Sequence, residues 1–242
     1  MKEYTGTEWF VFIAGAFCFC LYAIISKKAT LSGALSGVII AIIIFIFTSW
    51  EGILYFSAFF LMGSIATKWK IDKKQALGLE QENKGNRTHI HAISNTGAAA
   101  FLAALLYFLA YDPVLISISV ASVFAAANSD TLSSELGNIA GSKYFNIISL
   151  KRDTRGKDGV ISPEGTVIGL AGSSFIALIH FIFHQNLTHF LIIMFCGFLA
   201  NLVDSLLGAT LQKSKILNNH SVNFTITTFS GSLSILIYYL IV

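Results

Sequence analysis

Charge is what this chain has least of: 12% of its 242 residues are Asp, Glu, Lys or Arg, while 55% are hydrophobic. A soluble domain carries about twice that charged fraction, so a water-facing surface all round is excluded. Proline is rarer, at two residues, Pro113 and Pro163. Pro-rich, Ser-rich and charge-block linkers are all missing, and residues 1–242 read as one integral-membrane domain. The three cysteines, Cys18, Cys20 and Cys196, all fall in apolar runs. Cys18 and Cys20 point to different faces of a helix, so they read as small buried hydrophobes rather than a metal pair. A Walker A loop is absent, because Gly156-Lys157 lacks both the upstream glycine and the following Ser or Thr. So are a protein-kinase signature and a nucleophile elbow. No cleavable signal peptide is evident: Lys2, Glu3 and Glu8 precede the first apolar run and Lys27 and Lys28 follow it, the reverse of a secretory n-region. The expectation is a retained first span that starts outside.

What is present is apolar length. Runs such as 35–50 and 98–110 recur, and about 20 apolar residues cross a bilayer as a helix. The fold class is all-α, a polytopic membrane helix bundle embedded in the lipid bilayer. Its eight expected spans are 9–25, 33–47, 52–67, 91–110, 113–127, 165–184, 190–211 and 222–241. With these spans, fifteen of the sixteen Lys and Arg residues fall on one side, and Lys2 alone on the other. By the positive-inside rule the crowded side is cytoplasmic, both termini are outside, and the protein sits in the cell membrane. The outer turns are short, whereas the inner loops 68–90, 129–164 and 212–221 are long. Chemistry is expected at the cytoplasmic face.

The stretch 124–166 gathers acids, hydroxyls and cations in a chain that is otherwise mostly hydrocarbon. Polar groups at membrane depth are costly and mark function by default. On a helix, Asp130, Ser134 and Gly137 share one face, and Asn128, Thr131 and Glu135 an adjacent one. On the seventh span Asn201, Asp204, Ser205, Gly208 and Gln212 line one stripe. Two helices can thus present Asp130 and Asp204 to a common point, and hard oxygen donors of this kind suit Mg²⁺ with substrate phosphates. The plainer alternative for Asp204 is an acid satisfied by a neighbouring helix, and for Glu135 a solvated acid among headgroups. The segments Ala126-Ala-Asn-Ser-Asp130-Thr-Leu and Ala200-Asn-Leu-Val-Asp204-Ser-Leu echo each other. Seven residues fit either chance or an old repeat.

In the basic loop, Lys151, Arg152, Arg155 and Lys157 alternate with Gly156 and Gly159 before Ser162-Pro163 opens the sixth span. Ser162 suits an N-cap and Pro163 the first helical position. Glycines, cations and a helix start together make an anion site; a loop that only sets topology is the alternative. Arg87, His91 and Asn95 recur at spacings of four, and Asn218, Asn219 and Asn223 open the last span. With Gln212 these can hold a base, a ribose or a phosphate. His180, His184 and His189 gather at the outer end of the sixth span, where interfacial histidines are the plainer reading and zinc ligands the other. The cations lie where topology requires them, so nucleic acid is not an expected partner.

Four motifs occur together in order: Asp130-Thr-Leu-Ser-Ser-Glu135-Leu-Gly137, Gly156-Lys-Asp-Gly159-Val-Ile-Ser162, Asp204-Ser-Leu-Leu-Gly208-Ala-Thr-Leu-Gln212 and Asn218-Asn219-His-Ser-Val-Asn223. With the weaker Lys28-Ala-Thr-Leu-Ser-Gly33, this set resembles an integral-membrane family that includes transmembrane protein 19 and the chloroplast phytyl-phosphate kinase. The chain departs from the family at His91, where Gln is frequent, and at Leu217, where Asp is frequent. The resemblance implies Mg²⁺-assisted phosphoryl transfer from a nucleoside triphosphate, CTP favoured, to an isoprenyl monophosphate lipid. It assigns Asp130 and Asp204 to the metal, and Arg155 and Lys157 to phosphate charge. The competing expectations are a lipid-alcohol kinase or cytidylyltransferase on the same site, with Asp130 or Glu135 as base, and a carrier of phosphorylated lipid.

Overall fold

The computed structural model describes residues 3–80 and 85–241; Lys2 and Lys84 of the charge count lie outside them. Its helices are α1 (Gly6–Ile25), α2 (Leu31–Lys68), α3 (Ile71–Ala76), α4 (His89–Phe108), α5 (Pro113–Ala140), α6 (Pro163–His184), α7 (Leu187–Leu207) and α8 (Asn219–Ile241). Seven of these, all except α3, are long and apolar enough to cross a membrane. The protein is an all-α polytopic membrane bundle.

Helix α2 crosses twice. Ser49 within it has φ 60° and ψ −152°, which no helix accommodates. An unbroken helix would hold Gly33 and Gly63 about 45 Å apart at 1.5 Å per residue. Yet both lie against Arg87: an added Cβ at Gly33 would meet its carbonyl oxygen, and one at Gly63 its Nη2, each at 2.2 Å. Ala34 likewise packs with Phe60. The chain therefore reverses at Ser49, and its two arms are the second and third expected spans.

Helix α5 is the axis of the bundle. Of its spanning window 89% is buried, against 11% for α1, so α5 is ringed by helices while α1 faces outward. It starts where Asp112 accepts the Val114 N–H at 2.7 Å with Pro113 at the first helical position. Its small Ala and Ser side chains let neighbours approach closely. Ser129 donates to the Gly169 carbonyl of α6 at 2.8 Å, and Ser119 to Gly231 of α8 at 3.2 Å.

The ends of the bundle differ. Tyr4, just before α1, donates to the Phe45 carbonyl at 2.6 Å. Near the end of α8, the rings of Tyr238 and Tyr239 lie 5.9 Å from His189 and 6.1 Å from Tyr111. The start of α1 and the end of α8 thus share one face with the short turns at Ser49, 110–112 and 185–186. The opposite face carries the cationic connections, α3, a two-residue antiparallel ladder of β1 (Phe145–Asn146) with β2 (Val160–Ile161), and a π-helical turn at Gly208–Gln212. Two expectations are corrected here. The connection 68–90 contains α3, and α5 ends at Ala140, because the polar residues after Ala127 remain helical.

Candidate active site

A cavity of about 790 Å³ opens at the loop-bearing face. Asp130 of α5 and Asp204 of α7 meet in its wall, half-buried and close enough for their carboxyls to interact directly. Asn201 joins them, its Oδ1 accepting the Ser133 hydroxyl at 3.0 Å, and Thr131, Ser134 and Ser205 also line the space. Apposed carboxylates repel each other unless a proton or cation lies between them. Carboxylate, amide and hydroxyl oxygens around one point form the hard donor set that Mg²⁺ prefers. The stripe on the seventh span lines the cavity, and Ser133 of α5 joins it there.

Glu135 also lines the cavity, but as one half of a buried ion pair with Lys74 of α3. Their side chains are 6% and 2% exposed, too little for solvent to stabilise either charge alone. Lys74 Nζ further donates to the carbonyls of Ala66 at 2.6 Å and Thr67 at 3.2 Å. The pair thereby locks α3 against α2 and α5. A solvated Glu135 among headgroups, one of the alternatives above, is ruled out.

Arg87 enters from the strand-like segment before α4. Its N–H donates to the Lys28 carbonyl at 3.1 Å, and its carbonyl accepts the Thr30 N–H at 3.0 Å. The guanidinium runs past Gly63 and over the rings of Phe59 and Phe60, 4.6 and 5.3 Å from their centroids. Burial pulls its pKa down from 12.5 to about 10, with the Glu135 carboxylate pulling the other way. It is a cation at neutral pH.

The far walls come from the basic loop and from α8. Gly156, Lys157 and Gly159 line the cavity. Lys157 stays near the surface, paired with Asp153 at 2.9 Å; that contact holds the Asp153 carboxyl below its usual range. Gln212 donates to Asp158 Oδ1 at 3.0 Å, which ties the loop to the π-helical turn. Asn223 donates to Asn95 Oδ1 at 3.2 Å, so the two asparagine sets meet, with Asn219 beside them. Asn218 instead caps α8, accepting the Ser221 N–H at 2.9 Å, while His220 Nδ1 in the wall has no hydrogen-bond partner among the described residues.

Three expected residues are not in this cavity. Asn128 turns into the core and donates to the Gly172 carbonyl at 2.9 Å, because α5 is surrounded at that depth. Lys151 is exposed. Arg155 lies behind the loop, 3.5 Å from the Asn138 carbonyl and over the Tyr144 ring, where it fastens the loop to the end of α5. Lys74, Ser133, Asp158 and His220 are among the lining side chains that the sequence reading did not single out.

A second, mostly apolar cavity of about 240 Å³ runs among α1, both arms of α2 and α4. Phe12, Phe19, Gly37, Ala41 and Phe56 line it. It shares Phe59, Arg87 and His91 with the polar cavity. Hydrocarbon surface and charged surface thus adjoin at Phe59, Arg87 and His91.

A family model described as integral membrane protein DUF92 matches residues 14–231. The chain is 29% identical to an uncharacterized membrane protein of Methanocaldococcus jannaschii, over 90% of this chain and 91% of that one. It is 32% identical to an uncharacterized membrane protein of Synechocystis, over 91% and 86%. It is 33% identical to the chloroplastic Protein VTE6 of Arabidopsis thaliana, over 71% of this chain but only 54% of that protein. No solved structure matches.

Proposed function

We propose, from the premise that this chain belongs to the DUF92 family of integral membrane proteins, that it is a membrane-bound phosphotransferase. It passes a phosphoryl group from a nucleoside triphosphate, CTP favoured, to an isoprenyl monophosphate lipid, at the cytoplasmic face of the cell membrane. One observation carries this: the polar and apolar cavities meet at Arg87. An amphiphile with a short anionic head and a long hydrocarbon tail fits such a junction. The guanidinium is a fork that matches phosphate oxygens, and the apolar groove takes the tail. The family resemblance, which includes a phytyl-phosphate kinase, points to the same substrate class.

The remaining residues divide the work of positioning and charge neutralisation, which is most of what phosphoryl transfer requires. Asp130 and Asp204, with Asn201 and Ser205 beside them, would hold Mg²⁺, which when bound neutralises charge on the nucleotide phosphates. Gly156, Lys157 and Gly159 receive the triphosphate, and Asn219, His220 and Asn223 offer polar edges to the rest of the nucleotide. The acceptor's phosphate oxygen attacks the γ-phosphorus, the bond to the bridging oxygen breaks, and the nucleoside diphosphate leaves. That acceptor is already ionised, so no strong base is needed. An alcohol acceptor would need one, and Glu135 is held in its pair with Lys74.

Purified protein in detergent, given Mg²⁺, each nucleoside triphosphate in turn and farnesyl or geranylgeranyl monophosphate, is expected to release nucleoside diphosphate only when the acceptor is present. Folded protein that turns over no such pair would contradict the proposal. Turnover on a prenyl alcohol would then favour a lipid-alcohol kinase, and no turnover at all a carrier.

A further inference from the structure

At the end of the bundle remote from the catalytic cavity, a second polar cluster lies inside apolar helices. Glu51, just past the reversal in α2, places Oε1 3.1 Å from His180 Nδ1 and 3.0 Å from His184 Nε2. The same oxygen accepts the Ser117 hydroxyl at 2.8 Å and the Tyr55 hydroxyl. Two hydroxyl donors and two imidazole nitrogens thus converge on one carboxylate oxygen, while among the described residues Oε2 meets His184 alone, at 3.2 Å. A carboxylate oxygen offers about two lone pairs, so hydrogen bonding alone leaves this point overcrowded. Convergence of this kind is how side chains surround a cation.

We propose that Glu51, His180 and His184 form a zinc site at the outer face of the bundle. Their ligand atoms all lie within 4.8 Å of one another, and ligands about 2.0 Å from a tetrahedral zinc stand about 3.3 Å apart. His180 and His184 are one helical turn apart on α6, so both rings reach the same side, and they stack at 4.2 Å. His180 also has an outer partner: its Nε2 faces His189 Nδ1 at 3.4 Å. A proton placed on Nε2 for that contact leaves Nδ1 unprotonated and aimed at the metal. Tyr55, whose hydroxyl is 2.9 Å from His180 Nδ1, or a water takes the fourth position. Two imidazoles and one carboxylate suit zinc, whereas the oxygen set in the cavity suits magnesium, so the two ends of the protein select different ions. The zinc ties the α2 reversal to α6, and its binding energy adds to folding. The site is independent of what the cavity catalyses.

The test uses wild-type protein freed of any polyhistidine tag, stripped with chelator in detergent and then given Zn²⁺ or Co²⁺. About one zinc per chain should remain through gel filtration, Co²⁺ should give the visible bands of a four-coordinate site, and the unfolding temperature should rise on metal addition. Glu51→Gln and His184→Ala should lose the metal, whereas Asp130→Asn should keep it. If folded wild-type protein retains no metal and its unfolding temperature does not move with zinc, the site is a hydrogen-bonded cluster only and the proposal falls. Undiminished retention in both ligand variants would overturn it equally, and if those variants fail to fold, the wild-type Co²⁺ spectrum decides alone.

Discussion

At the residue scale, single charges decide more than single contacts. Lys74 and Glu135 are both buried and neutralise each other. Removing one partner of such a pair leaves an uncompensated buried charge, at a cost of about 3–5 kcal/mol. Lys74→Met should therefore lower the unfolding midpoint sharply in detergent, and adding Glu135→Met should recover most of the loss. Two independent, additive losses would show that the pair is not coupled. Asp130→Asn and Asp204→Asn should act the other way round. Each should cut turnover by about 100-fold or more with no fall in unfolding temperature, because one of two apposed charges is removed. The carboxylates were legible because each stands in a polar stripe inside an apolar run. Lys74 was not: it reads as one more cation of a positive-inside loop, and its partner lies 61 positions away. Glu51 was hidden in the same manner, as part of a short turn remote in sequence from the histidines it meets.

At the element scale, the basic loop is seated on the π-helical turn, and the proposed function requires it to stay there. Gly159 makes that seat possible, with φ +72° and a would-be Cβ 2.3 Å from Ala209 Cβ. A side chain there is strained by its backbone and collides with a rigid neighbour. Gly159→Ala should displace the loop and lower kcat/KM by about 100-fold, since misplacement of about 1 Å is that costly. The bundle should unfold at nearly the wild-type temperature, because the loop lies outside the spans and Gly159 touches the last turn of the seventh; a full loss of folding would place Gly159 in the core instead. Hydropathy located the seven spanning helices and both arms of α2, and the Ser162-Pro163 pair marked the start of α6, where Ser162 accepts the Gly165 N–H at 3.0 Å. It missed α3 and the two-residue strands, which are too short to show a period. It also ended the fifth span at Ala127, because hydropathy falls there although the helix does not. Of the basic loop, Lys157, Gly156 and Gly159 reach the cavity and Lys151 and Arg155 do not, a difference of side-chain direction that no spacing rule on a loop resolves.

On the scale of the whole molecule, the two faces of the bundle differ in charge, length of connection and chemistry, and this asymmetry should be visible as orientation. A single cysteine introduced at Ser149, in a background without Cys18, Cys20 and Cys196, should react with a membrane-impermeant thiol reagent only from the cytoplasmic side. One introduced at Gln185 should react only from outside. Labelling of both from one side would break the even number of crossings. The proposed function passes the γ-phosphoryl group of a nucleotide to a phosphorylated isoprenoid in the cavity beside Arg87 and the paired aspartates. The most direct measurement gives purified protein a nucleoside triphosphate labelled at the γ-phosphate, with geranylgeranyl monophosphate as acceptor, and follows the label. Label recovered in the terminal phosphate of the lipid diphosphate, and lost in Asp204→Asn, is the expected result. Label found only in inorganic phosphate, or transfer at the wild-type rate in Asp204→Asn, would contradict it.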